Sequence, residues 1–342
     1  MKVRGIAAWR VVAVVVILGL VAAGAWLGYD WHRFSQAPLA IGTTGQSIDV
    51  PRGASFKDIV RELRQRHVST ASPLYWRALS FQMHVSGRLH AGEFALVPGM
   101  TPRDLLANMA SGKVMQRNLT IVDGWTFADM RRALASVDTI AHDTAGLDDA
   151  AIMKRLGAEG DMPEGRFLPE TYAYVKGDTE SAIMKRAYVA MTKTLDAAWD
   201  KRDKDLPLAS SYEALILASI VEKETGRADE RPRIAGVFVR RLRLHMLLQT
   251  DPSVIYGLGA SYDGNVHKRD LTTDTPYNTY TRAGLPPTPI ALPGKAAIEA
   301  ALHPADGTEL YFVAKGDGSH VFSSTLDEHN KAVACFQLKR CQ

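Results

Sequence analysis

The sequence predicts an α+β protein with a single N-terminal transmembrane helix, a small α/β module and a larger mixed α+β domain. A charge-free apolar run, Val11 to Tyr29, indicates the membrane helix. A recurring strand–turn–helix pattern indicates the small module, and a length of 342 residues leaves room for a second domain. The predicted boundaries are a cytoplasmic tail 1–10, a transmembrane helix 11–29, a linker 30–44, the module 45–112 and the main domain 113–342.

The apolar run has the length that a membrane-spanning helix needs. At ~1.5 Å per residue it covers about the ~30 Å of a bilayer core. Lys2, Arg4 and Arg10 precede it, so the positive-inside rule predicts a cytoplasmic N-terminus. A cleaved signal peptide is the alternative, since the small residues 23–25 resemble a cleavage site. Either interpretation places the rest of the chain outside the cytoplasm.

A weak internal repeat begins at Val50, Val97 and Val122. Each copy has a glycine, a hydroxyl residue two positions later and an aspartate three further on. This spacing predicts a turn followed by a helix with a capping box, in three copies. The alternation in 91–97 predicts a strand between the first two. The capping pairs are Ser55 with Asp58, Thr101 with Asp104, and Thr126 with Asp129.

The most informative stretch of the main domain runs from Ser210 to Gly226. Ser210 and Glu213 have capping-box spacing, Gly226 is predicted to be a left-handed C-cap, and the body between them is almost entirely apolar. We therefore expect a buried helix with two carboxylates, Glu222 and Glu224, in its last turn. Apolar neighbours and the helix dipole should raise the pKa of Glu224. The alternative is a solvated helix end whose acids are neutralised by nearby Lys223 and Arg227.

Other elements follow from local signals. Segment 164–172 is predicted to be extended, and Thr179 to cap a long helix that packs on the 210–226 helix. Pro232 should open a helix whose arginines 240, 241 and 243 are solvated or shield an anionic substrate. The chain should end in a hairpin, 309–314 with 320–322, and a helix with capping-box spacing at Thr325 and Glu328.

Two polar clusters are candidate binding segments. Gln249, Thr250 and Asp251 precede a short helix, where Asp251 is either an N-cap before Pro252 or a catalytic carboxylate. The second cluster lies between prolines and a glycine, and is too irregular for a strand or helix. Its aromatic faces can stack on sugar rings, and its amide and hydroxyl groups can bind acetamido and hydroxyl groups. It comprises Tyr277, Asn278, Thr279 and Tyr280.

Several function classes are not supported. A net charge of +4 is too small and dispersed to predict nucleic-acid binding. The histidines lack zinc-ligand spacing and there is no phosphate or dinucleotide motif, so we predict no metal and no cofactor. Ser219 lacks the flanking glycines of a nucleophile elbow, and histidines 320 and 329 are expected to be structural. Cys335 and Cys341 could form a disulfide without functional consequence.

Four motifs together resemble one family of cell-wall enzymes. They are A-S-I-V-E-K-E-T from Ala218, L-Q-T-D-P-S-V-I-Y-G-L-G from Leu248, Y-N-T-Y-T with G-L-P-P from Tyr277, and the terminal H-x-F and E-H-N. The chain thus resembles the endolytic murein (peptidoglycan) lytic transglycosylases, MltG/YceG-like proteins of the bacterial inner membrane. The likeness is specific beyond Glu164 and loose before it. The module at 45–112 resembles the LysM-like module of wall-binding proteins, although a structural spacer would show the same pattern.

This resemblance implies a function. The family cleaves the MurNAc–GlcNAc bond of peptidoglycan strands and leaves 1,6-anhydroMurNAc ends, which is expected to end strand elongation. The second glutamate of E-K-E-T is the family's catalytic one, which corresponds to Glu224 on a lysozyme-like active-site helix. Residues 249–251 and 277–280 would bind sugars, with Glu222 and Glu170 as supporting groups. The expected partners are glycan strands and membrane peptidoglycan synthases.

Two other functions remain open. A muramidase would use Asp251 as its second carboxylate, and its reducing-ended product would distinguish it. A noncatalytic wall-binding scaffold would leave Glu224 without a catalytic role.

Overall fold

The computed structural model describes residues 3–42, 46–51 and 53–340, with side chains from residue 9 onward. Lys2 and Cys341, on which two of the predictions above depend, lie outside the described residues. The chain divides into two compact units, Met1–Arg117 and Asn118–Gln342, which are described in turn.

Unit 1 begins with the helix α1, Val3–Gln36. Its stretch Trp9–Gln36 has the length and apolar composition needed to cross a membrane. Apolar side chains along it are more than half exposed, as at Val11, Ile17 and Leu20, so they do not form the core of a soluble domain. The helix is longer than the predicted 11–29 because Trp31 and Phe34 pack on the core of unit 1 and extend it into the predicted linker.

The rest of unit 1 is a small α/β module. Strands β1, Ser47–Val50, and β2, Gly92–Ala95, pair antiparallel with Ile48 opposite Phe94. Three helices cover them: α2, Phe56–Gln65; α3, Pro73–Gln82; and α4, Pro102–Ser111. The core is built on Trp76, Leu79 and Leu105, each 0 % exposed. A two-stranded sheet on short helices agrees with the predicted secondary structure, whereas LysM-like glycan binding stays a prediction.

The internal repeat is confirmed at all three positions. The hydroxyl residue of each copy accepts a hydrogen bond from the backbone N–H three residues later, and the aspartate accepts one in return. The third copy lies in unit 2, where strand β3, Gln116–Thr120, leads into helix α5, Phe127–Ala135. The sequence signal therefore predicts the local element correctly in all three copies.

Unit 2 contains the remaining elements. Its described strands form two further two-stranded sheets, in which β3 pairs with β4 and β5 pairs antiparallel with β6. The mixed α+β prediction is therefore confirmed. The elements after α5 are α6, Asp149–Arg155; β4, Thr171–Val175; α7, Glu180–Trp199; α8, Ser211–Glu224; α9, Arg231–Arg243; α10, Asp251–Leu258; α11, Lys268–Thr272; α12, Lys295–Leu302; β5, Tyr311–Ala314; β6, His320–Ser323; and α13, Leu326–Phe336.

Helix α8 is the centre of unit 2. It contacts α7, α9, α10 and α12, and every residue from Ala214 to Val221 is buried. A helix that is apolar all round has no face for solvent, which explains why so many elements surround it. The predicted packing of α7, capped by Thr179, against this helix is confirmed.

The predicted ends of α8 are only partly correct. Ser210 is the N-cap and accepts a hydrogen bond from the Glu213 N–H at 3.2 Å, but the Glu213 carboxylate binds the Ala209 N–H instead of closing the box. The left-handed cap at Gly226 is wrong. Thr225 ends the helix in an extended conformation, φ −149°, and its hydroxyl accepts from the Arg227 N–H at 3.0 Å. This local turn replaces the glycine cap.

The C-terminal elements agree with the sequence. Of the arginines before them, Arg243 is exposed as expected, but Arg241 is not. The hairpin β5–β6 and the capping box of Thr325 with Glu328 are both confirmed. Arg241, expected in solvent, is 7 % exposed and donates to the carbonyls of Leu248 and Leu310, each at 2.7 Å. Its guanidinium group connects α9 to the following loop and to the hairpin. These contacts are visible only in the three-dimensional structure.

The burial of α8 predicts that its core is sensitive to cavities. Leu217 is fully buried, so Leu217→Ala should lower the free energy of unfolding by about 2–5 kcal/mol. Hydrogen exchange of the α8 amides in the full-length protein measures the free energy of unfolding of unit 2 separately from that of unit 1. Leu244→Ala is the matched control, because Leu244 is 59 % exposed and its loss should cost under about 0.5 kcal/mol. Equal effects would contradict the central position of α8.

Candidate active site

Glu224 is the last residue of α8, at the point where the buried helix reaches a cleft. Its side chain is largely buried, and its Oε1 accepts a hydrogen bond from the hydroxyl of Thr250. Thr250 itself is 2 % exposed and is the N-cap of α10. A carboxyl group with one fixed donor and little water is poorly stabilised in its charged form.

The pKa of Glu224 is raised to about 7. Burial is the largest cause, and the negative charge of Asp251 acts in the same direction. The Thr250 hydrogen bond and the positive charges of His320 and Arg241 oppose it. The pKa of Glu224 is thus raised, as the sequence predicts. The cations that oppose the rise are His320 and Arg241, and not the expected Lys223 and Arg227. Those two contact Gly124 and Asp229 instead.

A cavity of about 520 Å³ opens in front of Glu224. This volume lies within the ~300–1,000 Å³ range of small-molecule sites. The cavity lies between the end of α8, the loop before α10, the loop at Tyr280, the hairpin β5–β6 and helix α13. Its polar and aromatic lining includes Gln249, Asp251, Tyr280, Tyr311, His320, His329 and Asn330.

Gln249 has a strained backbone at the edge of this cavity. Its φ of 51° is in the left-handed region, which non-glycine residues rarely adopt. The Gln249 N–H donates to the carbonyl of Thr279 at 3.1 Å, and the Thr250 N–H donates to the Thr279 hydroxyl at 3.0 Å. These bonds hold the strained backbone at residues 249–250 against the loop that contains residues 277–280. Such strain commonly marks a functional site.

Asn278 and Thr279, predicted to bind sugars, are 1 % and 2 % exposed. The Asn278 amide donates to three carbonyls, of which Thr273 is nearest at 2.7 Å, and its Oδ1 accepts from the Tyr280 N–H at 2.9 Å. Tyr277 does not line the cavity; its hydroxyl pairs with Thr288 at 2.9 Å. These three side chains therefore hold the loop in shape and do not face the cleft.

Asp251 and Tyr280 do line the cavity, and they contact each other. The Tyr280 hydroxyl donates to Asp251 Oδ1 at 2.5 Å. Asp251 is the first residue of α10 and not its N-cap, so that interpretation of the sequence is wrong. Thr250 occupies the N-cap position because its backbone is extended. The Asp251 carboxylate is thus free of a capping role and faces the same cleft as Glu224.

The cavity wall also contains a histidine–glutamate pair that was not predicted from the sequence. Glu230 is 7 % exposed and accepts from both the backbone N–H of His320, at 3.0 Å, and its Nδ1, at 2.7 Å. Burial disfavours the charge of Glu230, but these bonds outweigh it and lower its pKa. The pair fixes the imidazole of β6 against the start of α9. Spacing along the chain gives no signal for a contact across ninety residues.

Glu222 and Glu170 lie away from the cleft, at contacts around the start of α12. Glu222 pairs with Arg231 at 3.4 Å and accepts from the Gly294 N–H at 3.0 Å. Glu170 pairs with Lys295 on the surface. Neither carboxylate is among the cavity-lining residues. Glu222 and Glu224 therefore have distinct environments although they are two residues apart.

A second carboxyl group has a raised pKa. Burial raises the pKa of Glu164 to about 7, and its oxygens accept from the Phe127 N–H at 3.0 Å and the Tyr256 hydroxyl at 3.1 Å. Glu164 joins α5 to α10 and is not in the cavity wall. Among the carboxyl groups of the described residues, only Glu224 combines a raised pKa with a place in the cavity wall.

The geometry defines an α+β protein with one carboxyl group of raised pKa in a polar, aromatic cleft. A group with a pKa near neutrality can both donate and accept a proton under the same conditions. The cleft supplies hydroxyl, amide and aromatic groups, which suit a carbohydrate.

Comparison with known proteins identifies the family. The profile of the YceG-like family matches residues 48–335. An endolytic murein transglycosylase of Bacillus subtilis is 32 % identical over 308 residues, covering 84 % of each chain. One of Streptococcus pneumoniae is 26 % identical over 360 residues, which covers 95 % of this chain but 64 % of that longer protein. A crystal structure of a YceG-like protein from Listeria monocytogenes is 28 % identical, with a TM-score of 0.50 over 85 % of this chain and 100 % of the other.

The chain belongs to the YceG-like family. This confirms the resemblance on which the sequence analysis relied.

The raised pKa of Glu224 predicts a pH-dependent gain in stability for Glu224→Gln. The carboxyl ionises near pH 7 when folded, above its ordinary value of 4.5, so wild-type stability falls as the pH rises through this range. Glutamine does not ionise, so the stability difference should grow from pH 5 to pH 8, up to about 3 kcal/mol. Thermal unfolding of both proteins across this range measures the difference.

Glu222→Gln is the matched control. It removes one member of a buried ion pair and should destabilise the protein without a comparable gain at high pH. A difference between Glu224→Gln and wild type that stays constant from pH 5 to pH 8 would contradict the raised pKa.

Proposed function

We propose that this protein is an endolytic lytic transglycosylase that cleaves the MurNAc–GlcNAc bond of nascent peptidoglycan strands. The observation that carries the proposal is the cleft-facing carboxyl of Glu224, with its pKa near 7, at the second glutamate of E-K-E-T. Support for the substrate comes from the Bacillus and Streptococcus relatives, both of which are named endolytic murein transglycosylases.

In the proposed reaction Glu224 acts first as an acid. Its protonated carboxyl donates a proton to the glycosidic oxygen, and the bond from that oxygen to C1 of MurNAc breaks. The resulting carboxylate then accepts the proton of the MurNAc C6 hydroxyl as this oxygen bonds to C1. The products are a 1,6-anhydroMurNAc end and a free GlcNAc hydroxyl, and Glu224 returns to its protonated form. One carboxyl group thus serves both steps, and no water is consumed.

The surrounding residues are suited to a charged transition state. Tyr280 and Asp251 present a hydrogen-bonded pair to the cleft, and Gln249 presents an amide. The Asp251 carboxylate can stabilise positive charge developing at C1. Arg241 and His320 limit the rise in the pKa of Glu224, which keeps the group able to release its proton. Cleavage within nascent strands would end their elongation, and membrane peptidoglycan synthases are the expected partners.

A muramidase is the second candidate, and Asp251 is the observation that favours it. This carboxylate lines the same cavity as Glu224 and its charge acts on Glu224. A hydrolase needs such a second carboxylate, either to activate water or to attack C1. The two reactions differ in product, because hydrolysis leaves a reducing end and the intramolecular reaction leaves an anhydro end.

We predict that Glu224→Gln lowers turnover of purified glycan strands by at least ~10²–10⁴-fold, because it removes general acid–base catalysis while preserving shape. Mass spectrometry of the released muropeptides measures both rate and product. Glu222→Gln should retain more activity, since Glu222 binds Arg231 and Gly294 outside the cleft. Near-normal activity of Glu224→Gln would refute the assignment, and reducing-ended product from the wild type would identify a hydrolase.

We further propose that α1 anchors the protein in the inner membrane, with a cytoplasmic N-terminus and a periplasmic catalytic unit. The exposed apolar surface of α1 supports anchoring, and Arg4 and Arg10 before the apolar run support this orientation.

A reporter active only in the periplasm, fused after residue 342, should give signal while the protein stays in the membrane fraction. The same reporter fused before residue 1 should be silent. Release of a shortened protein into the soluble fraction would instead support a cleaved signal peptide.

A further inference from the structure

Helix α3 of unit 1 presents an apolar stripe to solvent. Leu74 is 72 % exposed and Phe81 is 75 % exposed, and Ala78 between them is also exposed. Positions 74, 78 and 81 lie on one face of a helix. Outside α1, no other large apolar side chain in the described part of the chain is as exposed. Such a face on a soluble domain usually marks an interaction surface.

The start of α3 lies against α1 at one specific level. The Tyr75 hydroxyl donates to Asp30 Oδ2 at 2.6 Å, and the Tyr75 ring lies 5.8 Å from Trp31 and 5.4 Å from Phe34, centre to centre. Asp30 is the first residue after the charge-free run that ends at Tyr29. If the span ends at Tyr29, as the sequence predicts, the residues that hold α3 are those at which α1 would leave the hydrocarbon core.

The aromatic residues at this junction are of the type found at membrane–water interfaces. Trp31, Phe34, Tyr75 and Trp76 form one cluster of ring contacts, of which the Phe34–Trp76 pair is edge-on at 5.5 Å. Tryptophan and tyrosine are enriched at this depth because their rings are partly apolar and partly polar. Trp76 belongs to the buried core of unit 1, so the partly exposed rings of Trp31 and Tyr75 are the ones suited to the lipid headgroup region where α3 meets α1.

Within the segment that contains α3, the charged side chains are of one sign. Residues 63–92 contain four arginines and three histidines but no aspartate or glutamate. Arg77, next to the stripe, and Arg88, in the following loop, are both exposed. Basic residues beside an apolar helix face are the pattern of interfacial helices that lie on anionic bilayers.

We propose that α3 lies on the outer surface of the same bilayer that α1 crosses, with Leu74, Ala78 and Phe81 among the lipid headgroups and Arg77 and Arg88 on anionic phosphates. The inference rests on the proposed anchoring by α1. The bilayer is the favoured occupant because α1 brings it to the level of Asp30, whereas a protein partner would have to be recruited. The module would thereby be attached to the membrane at two points.

The test uses nitroxide spin labels on the full-length protein in phosphatidylcholine vesicles, with and without phosphatidylglycerol. Labels are attached in Leu74→Cys and Phe81→Cys, and collision with oxygen is compared with collision with a water-soluble nickel complex. Labelled wild type gives the background, since Cys335 is disulfide-bonded. We expect both positions to favour oxygen in the anionic vesicles, and to shift towards the nickel complex when phosphatidylglycerol is absent.

Two controls separate the possible failures. Val97→Cys is the matched aqueous position, because Val97 is 54 % exposed and adjoins the turn whose Met100 carbonyl binds Leu39, beyond the end of α1. Val16→Cys lies inside the predicted span and should be lipid-buried. If position 16 is aqueous, the anchoring itself is refuted. If position 16 is buried but positions 74 and 81 behave like position 97, only the inference about α3 is refuted.

Two further results would contradict the proposal about α3, the first in its choice of the bilayer as occupant and the second in the role it gives to the two arginines. Dipolar broadening between labels at position 81 that disappears on dilution with unlabelled protein would assign the stripe to a second copy of the chain. Contact that is unchanged without phosphatidylglycerol would refute the role of Arg77 and Arg88, and leave only apolar insertion.

Discussion

The desolvation of one carboxyl group, at the end of one buried helix, is the constraint on which the site depends. Helix α8 has no solvent-facing side over residues 214–221, so the surrounding helices exclude water up to Glu224. A lone buried carboxylate would be costly, and the protein limits that cost with a hydroxyl from Thr250 and the charges of His320 and Arg241. The opposing effects leave the group near its midpoint at neutral pH, where a shuttled proton moves most readily in both directions.

The walls of the cleft are fixed by bonds that do not themselves face it. Thr279 holds the backbone of the 249–250 segment in a strained conformation, and Asn278 holds its own loop through three carbonyls. Glu230 binds His320 by both backbone and ring, and Arg241 ties α9 to the hairpin. Buried polar groups that are hydrogen-bonded in this way make the segments that carry them rigid. The arrangement favours prepositioned groups over closure around the sugar.

Local signals in the sequence predicted most elements, because each depends on residues a few positions apart. The capping boxes at Ser55, Thr101 and Thr126, and the apolar body of α8, are examples. The raised pKa of Glu224 was also predictable in direction, since burial follows from those apolar neighbours. The residues that interact with the Glu224 carboxyl were not predictable. They are distant from it in sequence, and the sequence did not distinguish Arg241, which is buried and acts on the charge of Glu224, from Arg240 and Arg243 on the same helix.

The distribution of these contacts separates chemistry from location. Every described residue that hydrogen-bonds to Glu224 or acts on its charge belongs to unit 2, and the cavity is lined by unit 2 alone. Unit 1 contributes the apolar helix and the module that packs on its end, through Trp31 and Phe34. The electrostatic environment of Glu224 therefore depends on residues 118–342, whereas the helix that is long and apolar enough to cross a membrane belongs to residues 1–117.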